Sequence, residues 1–447
     1  MCPITINKAL LLQEGILRFE LSWTAVIINI LSLINDKLIT HSVRVAFILM
    51  KMLQYEGKYE GLELRKILFA AIFHDIGAYK TEEIRDLMDF EIRSTLSHSV
   101  YGYLFIKHLS YMQDYAEAVL YHHVNYEDRF YCNSAFLNHA LKIHLADRAD
   151  ILSLTVKDND LLIKQIASHA GDIFNPLDVE LFIKANEKYN ILDEIKSGAY
   201  EDEIRSYYQS LNLQTEDIMK LIKMLVFTID FRSKQTVTHT IQMSEFSKLM
   251  AELMNLSSST IETIKCASML HDIGKIKTPT AILEKAGRLT SQERSVMELH
   301  VVHTREIIKN TVLPEVLEIA ARHHEKLDGS GYPQGLNAAD LTLPQRILAV
   351  ADIASALVSK RSYKEKMSKS SVVKILNDMV QENKIDADVV KVMLDNYDYI
   401  IKTTEENIKD VVERYESLKD EYHKCVEKYK TIESKFPEKN ALFSEKL

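Results

Sequence analysis

The chain has 447 residues and a 47% hydrophobic content, enough for two or three domains with sizeable cores. Its 12 Gly and 7 Pro are too few for a turn-rich β architecture, and an all-α protein is expected. A net charge of -9 argues against a general nucleic-acid coat, so no DNA partner is expected; a small anionic ligand stays compatible with locally placed cations.

The N-terminus has no basic n-region, and no signal peptide is expected. The run from Leu21 to Ile34 is uncharged but carries Ser, Thr and Asn and is short for a membrane span. It reads as a buried helix, with no membrane association. Cys2, Cys132, Cys266 and Cys425 form no CxxC pair and read as reduced thiols of a cytoplasmic protein.

An internal repeat of about 200 residues organises the chain. The first copy carries His41 in HSVRV, His74-Asp75 in FHDIGAYK, His98 in LSHSVYG, His122-His123 in LYHHVNYE and Asp147 in LADRADIL. The second carries His239 in THTIQM, His271-Asp272 in LHDIGKIK, His300 in ELHVVHT, His323-His324 in ARHHEKLDGSGYP and Asp352 in VADIASAL. The order of ligand-type residues is the same in both. Gly171 to Phe182 further parallels Asn383 to Val390. A first domain over 1–195, a connector over 196–215 and a second domain over 216–403 follow.

Apolar residues recur at helical steps from Ile261 to Leu270 and from Val372 to Val380. The tail, 404–447, places Val411, Tyr415, Leu418, Tyr422, Val426, Tyr429 and Ile432 at steps of three or four among Glu and Lys. That is a charged amphipathic helix. Two readings stand: a coiled coil that makes a homodimer, or a helix folded back on its own chain.

A His-Asp pair joined by distant His and Asp suits two metal ions, because imidazoles give neutral donors and a carboxylate can bridge two cations. Two such cations can lower the pKa of a shared water and neutralise the oxygens of a phosphodiester transition state.

HDIGK at 271–275, HHEKLDGSGYP at 323–333, RSYK at 361–364 and the supporting segment from Pro279 to Glu293 resemble the HD-GYP subgroup of the HD phosphohydrolase superfamily. The resemblance covers about 170 residues of the second copy and runs weakly through the first. It implies two tandem HD-type helical domains. His239, His271, Asp272, His300, His323, His324 and Asp352 would be metal ligands, with Asp272 as bridge. Lys275 would lie beside the scissile phosphate, and Arg361 and Lys364 would grip phosphate. Gly331, Tyr332 and Pro333 would shape the substrate groove and offer a contact for a protein partner. The implied activity is hydrolysis of a cyclic dinucleotide, cyclic di-GMP or 3′3′-cyclic GMP-AMP, to a linear dinucleotide without a covalent intermediate. The implied metals are iron or manganese. Gln235 stands where three-metal members carry an acidic residue, which favours two metals over three, and Gln242 replaces the Arg of the HSxRV signature.

The first copy keeps His41, His74, Asp75, His98, His122, His123 and Asp147 as a second candidate metal site. Ala78 replaces the Lys275 counterpart, Asn125 to Phe130 replaces the GYP turn, and Val156 and Asn159 stand for Arg361 and Lys364. A regulatory or structural role is expected for it. His139, His144 and His303 lie off the repeat and read as ordinary core or surface histidines. Two competing functions are a non-catalytic dinucleotide receptor or scaffold, and a phosphohydrolase acting on nucleotide monophosphates.

Overall fold

The computed structural model describes residues 36–80, 95–110, 112–209, 237–283, 285, 287–309, 312–358 and 367–433, with Ser32 and Met224. Arg361, Lys364, Gln235, the run from Leu21 to Ile34 apart from Ser32, and the start of the expected second domain, 216–231, apart from Met224, lie outside them. The described residues contain α- and 3-10 helices and no strand, only the isolated bridges Ala170–Phe174 and Asp328–Asn337. The all-α expectation holds. No described helix is long and apolar enough to cross a membrane.

The described residues form two compact units. The first runs to Met224 and takes in the last helix from Leu418 onward; the second ends at Ser417. The first contains α1 (Asp36–Glu56), α2 (Gly61–Ile72), α3 (Thr95–Leu109), α4 (Ala116–Leu120), α5 (Leu137–Thr155), α6 (Asn159–Ser168), α7 (Pro176–Tyr189), α8 (Ile191–Ser197) and α9 (Tyr200–Gln209). The second contains α10 (Val237–Leu253), α11 (Ser258–Leu270), α12 (Thr280–Leu283), α13 (Ser291–Ile308), α14 (Pro314–Ala320), α15 (Leu343–Val358), α16 (Lys369–Gln381), α17 (Ala387–Asp395) and, as far as Ser417, α18 (Tyr397–Glu433).

Local chemistry sets the ends of these helices. Thr290 and Glu293 make a reciprocal capping box at the start of α13. Ser257 caps α11, Asn175 caps α7 just before Pro176, and Asp386 caps α17, each accepting a backbone N–H. The left-handed Asn190 ends α7. The periodic segments noted above fall inside α11 and α16.

The two units repeat one packing scheme. In the first, α1 lies against α2, α5 and α7; in the second, α10 lies against α11, α15 and α17. The central helices are buried along most of one face, through Val45, Ile48, Leu49 and Met52 in α1 and Met243, Phe246 and Met250 in α10. Each of these side chains removes apolar surface from water, and burial on the order of 1.5–3 kcal/mol per large side chain holds the sheaf together. The stretch expected as a connector is helical from Tyr200 to Gln209. It buries Tyr200 and Ile204 and sets Glu203 on Lys51 of α1 at 2.6 Å, so it continues the first unit.

The last helix begins at Tyr397, ahead of the expected start of the tail at 404. Within the first unit its end packs on α3. Leu418 is buried, Tyr422 stacks on Tyr101 with centroids 4.3 Å apart, and Glu421 takes Lys107 at 2.5 Å and His108 at 2.9 Å. Of the two readings of this stripe, the folded-back one describes Leu418 and Tyr422.

A short 3-10 turn follows each His-Asp pair, Ile76–Lys80 and Ile273–Lys277. Each turn presses a glycine onto the helix that bears the third histidine. A Cβ on Gly274 would lie 2.0 Å from the His300 carbonyl oxygen, and one on Gly77 would lie 2.1 Å from that of His98. Thr304 locks the second turn by donating to the His271 carbonyl at 2.8 Å and accepting from Gly274 N at 3.0 Å. Gly274→Ala should therefore part the turn from α13 and destabilise the second unit by about 1–3 kcal/mol or more. Denaturant melting checks this, and an unchanged midpoint would show that the turn can give way freely.

Candidate metal centres

In the second unit five separate stretches bring their side chains to one point. His239 comes from α10, His271 and Asp272 from the end of α11, and His300 from α13. His323 and His324 follow α14, and Asp352 lies on α15. Asp272 is at the middle. Its Oδ2 is 3.0 Å from His271 Nε2, and its Oδ1 is 3.3 Å from His300 Nε2 and 3.9 Å from His323 Nε2. One carboxylate thus faces two sets of imidazoles. Asp352 completes the ring, with Oδ1 3.2 Å from His239 Nε2 and Oδ2 3.5 Å from His324 Nδ1.

The backbone decides which ring nitrogen faces inward. His271, His300 and His323 each donate Nδ1–H to the carbonyl three residues earlier, on Ser268, Met297 and Ala320, at 2.6–2.7 Å. A carbonyl only accepts, so Nδ1 holds the proton and Nε2 keeps its lone pair. His239 Nδ1 meets the Ser355 hydroxyl at 3.1 Å. The inward atoms are left without donors: His271 Nε2 and Asp272 Oδ1 are buried without a hydrogen-bond partner. His300 Nε2 and His323 Nε2 face one another at 3.4 Å. Buried acceptors aimed at each other are costly unless a cation lies between them.

Protonation agrees with that. Burial pushes His300 down to about 3, with Lys275 and His324 adding to the effect against Asp272. Burial, His324 and His271 hold His323 well below the ordinary histidine range. For Asp272 burial acts upward, but the charges of His271 and Lys275 outweigh it and hold the carboxyl well below the usual range. Burial acts to lower His271, but the charge of Asp272 outweighs it and raises its pKa, so a cation there would compete with that proton, whereas neutral His300 and His323 beside an ionised carboxylate are ready donors for a divalent metal. Two groups stand close enough to hold an ion: His239, His271 and Asp272, and His300, His323 and His324.

The rim is built next to this cluster. Lys275 is paired with Asp272. Tyr332 donates its backbone N–H to the His324 carbonyl at 3.2 Å, and its ring lies 4.8 Å from that of His324. Gly331 packs against the backbone of His324 and Glu325, and the following Tyr332–Pro333 bond is cis, with Pro333 exposed. Glu325 shapes the loop. Only 3% exposed, it accepts from Gln334 N at 2.7 Å with one oxygen and from Leu336 N at 2.9 Å with the other.

The first unit repeats the convergence. Asp75 Oδ2 is 3.3 Å from His74 Nε2 and 3.8 Å from His41 Nε2; Oδ1 is 3.3 Å from His98 Nε2 and 3.7 Å from His122 Nε2. Asp147 Oδ1 is 3.2 Å from His41 Nε2. His74 and His122 donate Nδ1–H to the carbonyls of Ala71 and Val119. His41 Nε2, His74 Nε2, His122 Nε2 and both oxygens of Asp75 and Asp147 are buried without a hydrogen-bond partner. These groups too could hold ions, as Asp75, His98, His122 and His123, and as His41, His74 and Asp147. Ala78 lies fully buried where Lys275 stands in the second unit. The off-repeat histidines stay out: His144 is buried and donates to the Val124 carbonyl at 3.1 Å, and His303 pairs with Glu306 at 3.3 Å.

Several supporting residues escaped the sequence reading. Asp150 holds His41 Nδ1 at 2.7 Å and is itself held by Arg44 at 2.5 and 2.9 Å. Ser355 takes the place of Asp150 in the second unit, and Gln242 the place of Arg44. The signal was present: the Arg-to-Gln change in HSVRV and HTIQM is matched by an Asp-to-Ser change in DRAD and DIAS. Glu325, Thr304 and Arg148 were also missed.

Tandem helical units that each converge a His-Asp pair with distant His and Asp define an HD-type protein. The HD domain family model matches residues 38–184, and a second HD domain model matches 201–389. The chain belongs to the HD domain family, as a tandem protein whose second copy is of the HD-GYP type. It is 27% identical to 3′3′-cGAMP-specific phosphodiesterase 1 of Vibrio cholerae, over 75% of this chain and 82% of that protein. It is 34% identical to 3′3′-cGAMP-specific phosphodiesterase 2 of the same organism, over 50% of this chain and 44% of that protein. It is 39% identical to the cyclic di-GMP phosphodiesterase response regulator RpfG of Xanthomonas campestris, over 35% of this chain and 42% of that protein. The chain therefore spans less than half the length of the latter two.

Glu325→Gln would set an amide NH2 against a backbone N–H and leave one buried donor unsatisfied, at a cost of about 1–3 kcal/mol. Hydrogen exchange at Gln334 and Leu336 should speed up by a comparable factor, while metal content stays the same. Unchanged protection would remove Glu325 from the support of the loop.

Proposed function

We propose that the second domain hydrolyses a cyclic dinucleotide, cyclic di-GMP or 3′3′-cyclic GMP-AMP, to a linear dinucleotide, and that the first domain is regulatory or structural. The observation that carries this reading is the position of Asp272, a buried carboxylate whose two oxygens face different histidines next to Lys275. Relatives named for both dinucleotides support the substrate class.

In this reading His239, His271, Asp272 and Asp352 would hold one divalent ion, and Asp272, His300, His323 and His324 would hold the other, iron or manganese. Two bound cations supply Lewis acidity and a water acidic enough to act as nucleophile near neutral pH. The protein's own groups do the rest. Histidine Nδ1–H groups anchored on carbonyls hold the ligands in place, which removes reorganisation from the reaction. Lys275 places a point charge where negative charge grows on the phosphoryl oxygens. Arg361 and Lys364 grip the second phosphate, and Gly331, Tyr332 and Pro333 wall the groove. Water adds to phosphorus in line, the bond to the ribose 3′-oxygen breaks, and the proton ends on the departing hydroxyl.

Ala78, in place of a lysine, supports the division of labour between the domains, since the first site has no charge at the position where a phosphate would need it. A receptor role suits the first domain for the same reason.

The test is turnover of a cyclic-dinucleotide panel by the full chain, reduced and loaded with iron or manganese. Asp272→Ala should fall to background, and Asp75→Ala should keep much of the activity. Lys275→Ala should lose about 10²–10³-fold in kcat, the usual effect of removing one transition-state donor. Binding without cleavage by the loaded wild type would replace the enzyme with a receptor. Complete loss in a folded Asp75→Ala variant would overturn the division of labour.

A further inference from the structure

One more buried difference separates the two centres. Arg148 follows Asp147 in the first unit, where Ile353 follows Asp352 in the second. Arg148 is buried, at 8% exposed. One terminal nitrogen lies 3.1 Å from Asp147 Oδ2 and 3.1 Å from His123 Nδ1, which are themselves 3.9 Å apart. In the second unit the equivalent atoms, Asp352 Oδ2 and His324 Nδ1, face each other directly at 3.5 Å.

A guanidinium donates and never accepts. His123 Nδ1 must therefore present its lone pair to Arg148, and the ring proton of the neutral imidazole sits on Nε2. That proton points at His98 Nε2, 2.9 Å away, and takes up its lone pair. His324 is under the opposite constraint, because its Nδ1 faces a carboxylate that only accepts. His41 and His74 are unaffected. His41 Nδ1 faces Asp150, and His74 Nδ1 faces a carbonyl, so both keep Nε2 free toward Asp75 and Asp147. A fixed positive charge beside Asp147 also raises the cost of a second dication nearby.

We infer that Arg148 disables one half of the first-unit centre, so that this domain holds a single metal ion on His41, His74, Asp75 and Asp147 while the second domain holds two. The inference rests on reading these clusters as metal sites, as proposed above for the second domain. Arg148 is a positioning residue: it acts through the tautomer of His123.

Metal analysis of the intact chain, with no turnover needed, tests it. Wild type should hold about three ions per chain and Arg148→Ile about four. A chain stripped in the second domain by His271→Ala with Asp272→Ala should retain about one. In that stripped chain His123→Ala should leave the count unchanged, whereas in wild type His324→Ala should lower it. This comparison decides the matter if Arg148→Ile does not fold. Two ions in the stripped chain, none at all, loss of the ion in its His123→Ala form, or no gain in a folded Arg148→Ile would each overturn the inference. A count of zero in Asp75→Ala with His74→Ala would instead defeat the metal reading of the second domain, so the two failures are distinguishable.

Discussion

The structure depends on a buried aspartate surrounded by imidazole lone pairs. Asp272 in one unit and Asp75 in the other lie within 4 Å of two or more Nε2 atoms carried by different chain segments. Such a cluster is unfavourable as bare protein, because acceptors face acceptors in a dry interior. A divalent cation would turn that frustration into a bond tying five chain segments together. The packing of α1 on α2, α5 and α7, repeated by α10 on α11, α15 and α17, holds these segments in position.

Duplication kept this geometry and changed the groups around it. The second unit has a lysine on its aspartate, a loop pinned by Glu325 and a hydroxyl behind its first histidine. The first unit has an alanine, an Asp150–Arg44 pair behind its first histidine and Arg148 next to its last. Carboxylate backing strengthens a histidine as a metal ligand, while a guanidinium beside one works against it. The first unit thus has a carboxylate behind one of its converging histidines and no lysine on its central aspartate. The same helical frame thus carries two different sets of groups behind the converging side chains.

Much of the site was legible in the order of residues. Period-200 spacing of His, His-Asp, His, His-His and Asp picked out the side chains that converge in each unit, because seven such residues hardly recur in one order by chance. Helix content followed from the scarcity of Gly and Pro and from apolar steps of three and four. The C-terminal stripe was seen but not its destination. Partner choice for Leu418 and Tyr422 depends on which apolar surface lies within reach, and that surface, around Tyr101, is over 300 residues away in sequence.

By itself, then, the sequence determined which residues meet and what class of chemistry they suit, since ligand type and spacing are local properties. Only the tertiary structure decided which nitrogen of each ring faces inward. His271 and His323 take that instruction from carbonyls on their own helices, but His41 takes it from Asp150, 109 residues on, and His123 from Arg148 on a different helix. A proton's place on an imidazole follows from whatever donor or acceptor stands behind it, and that neighbour exists only once the chain has folded.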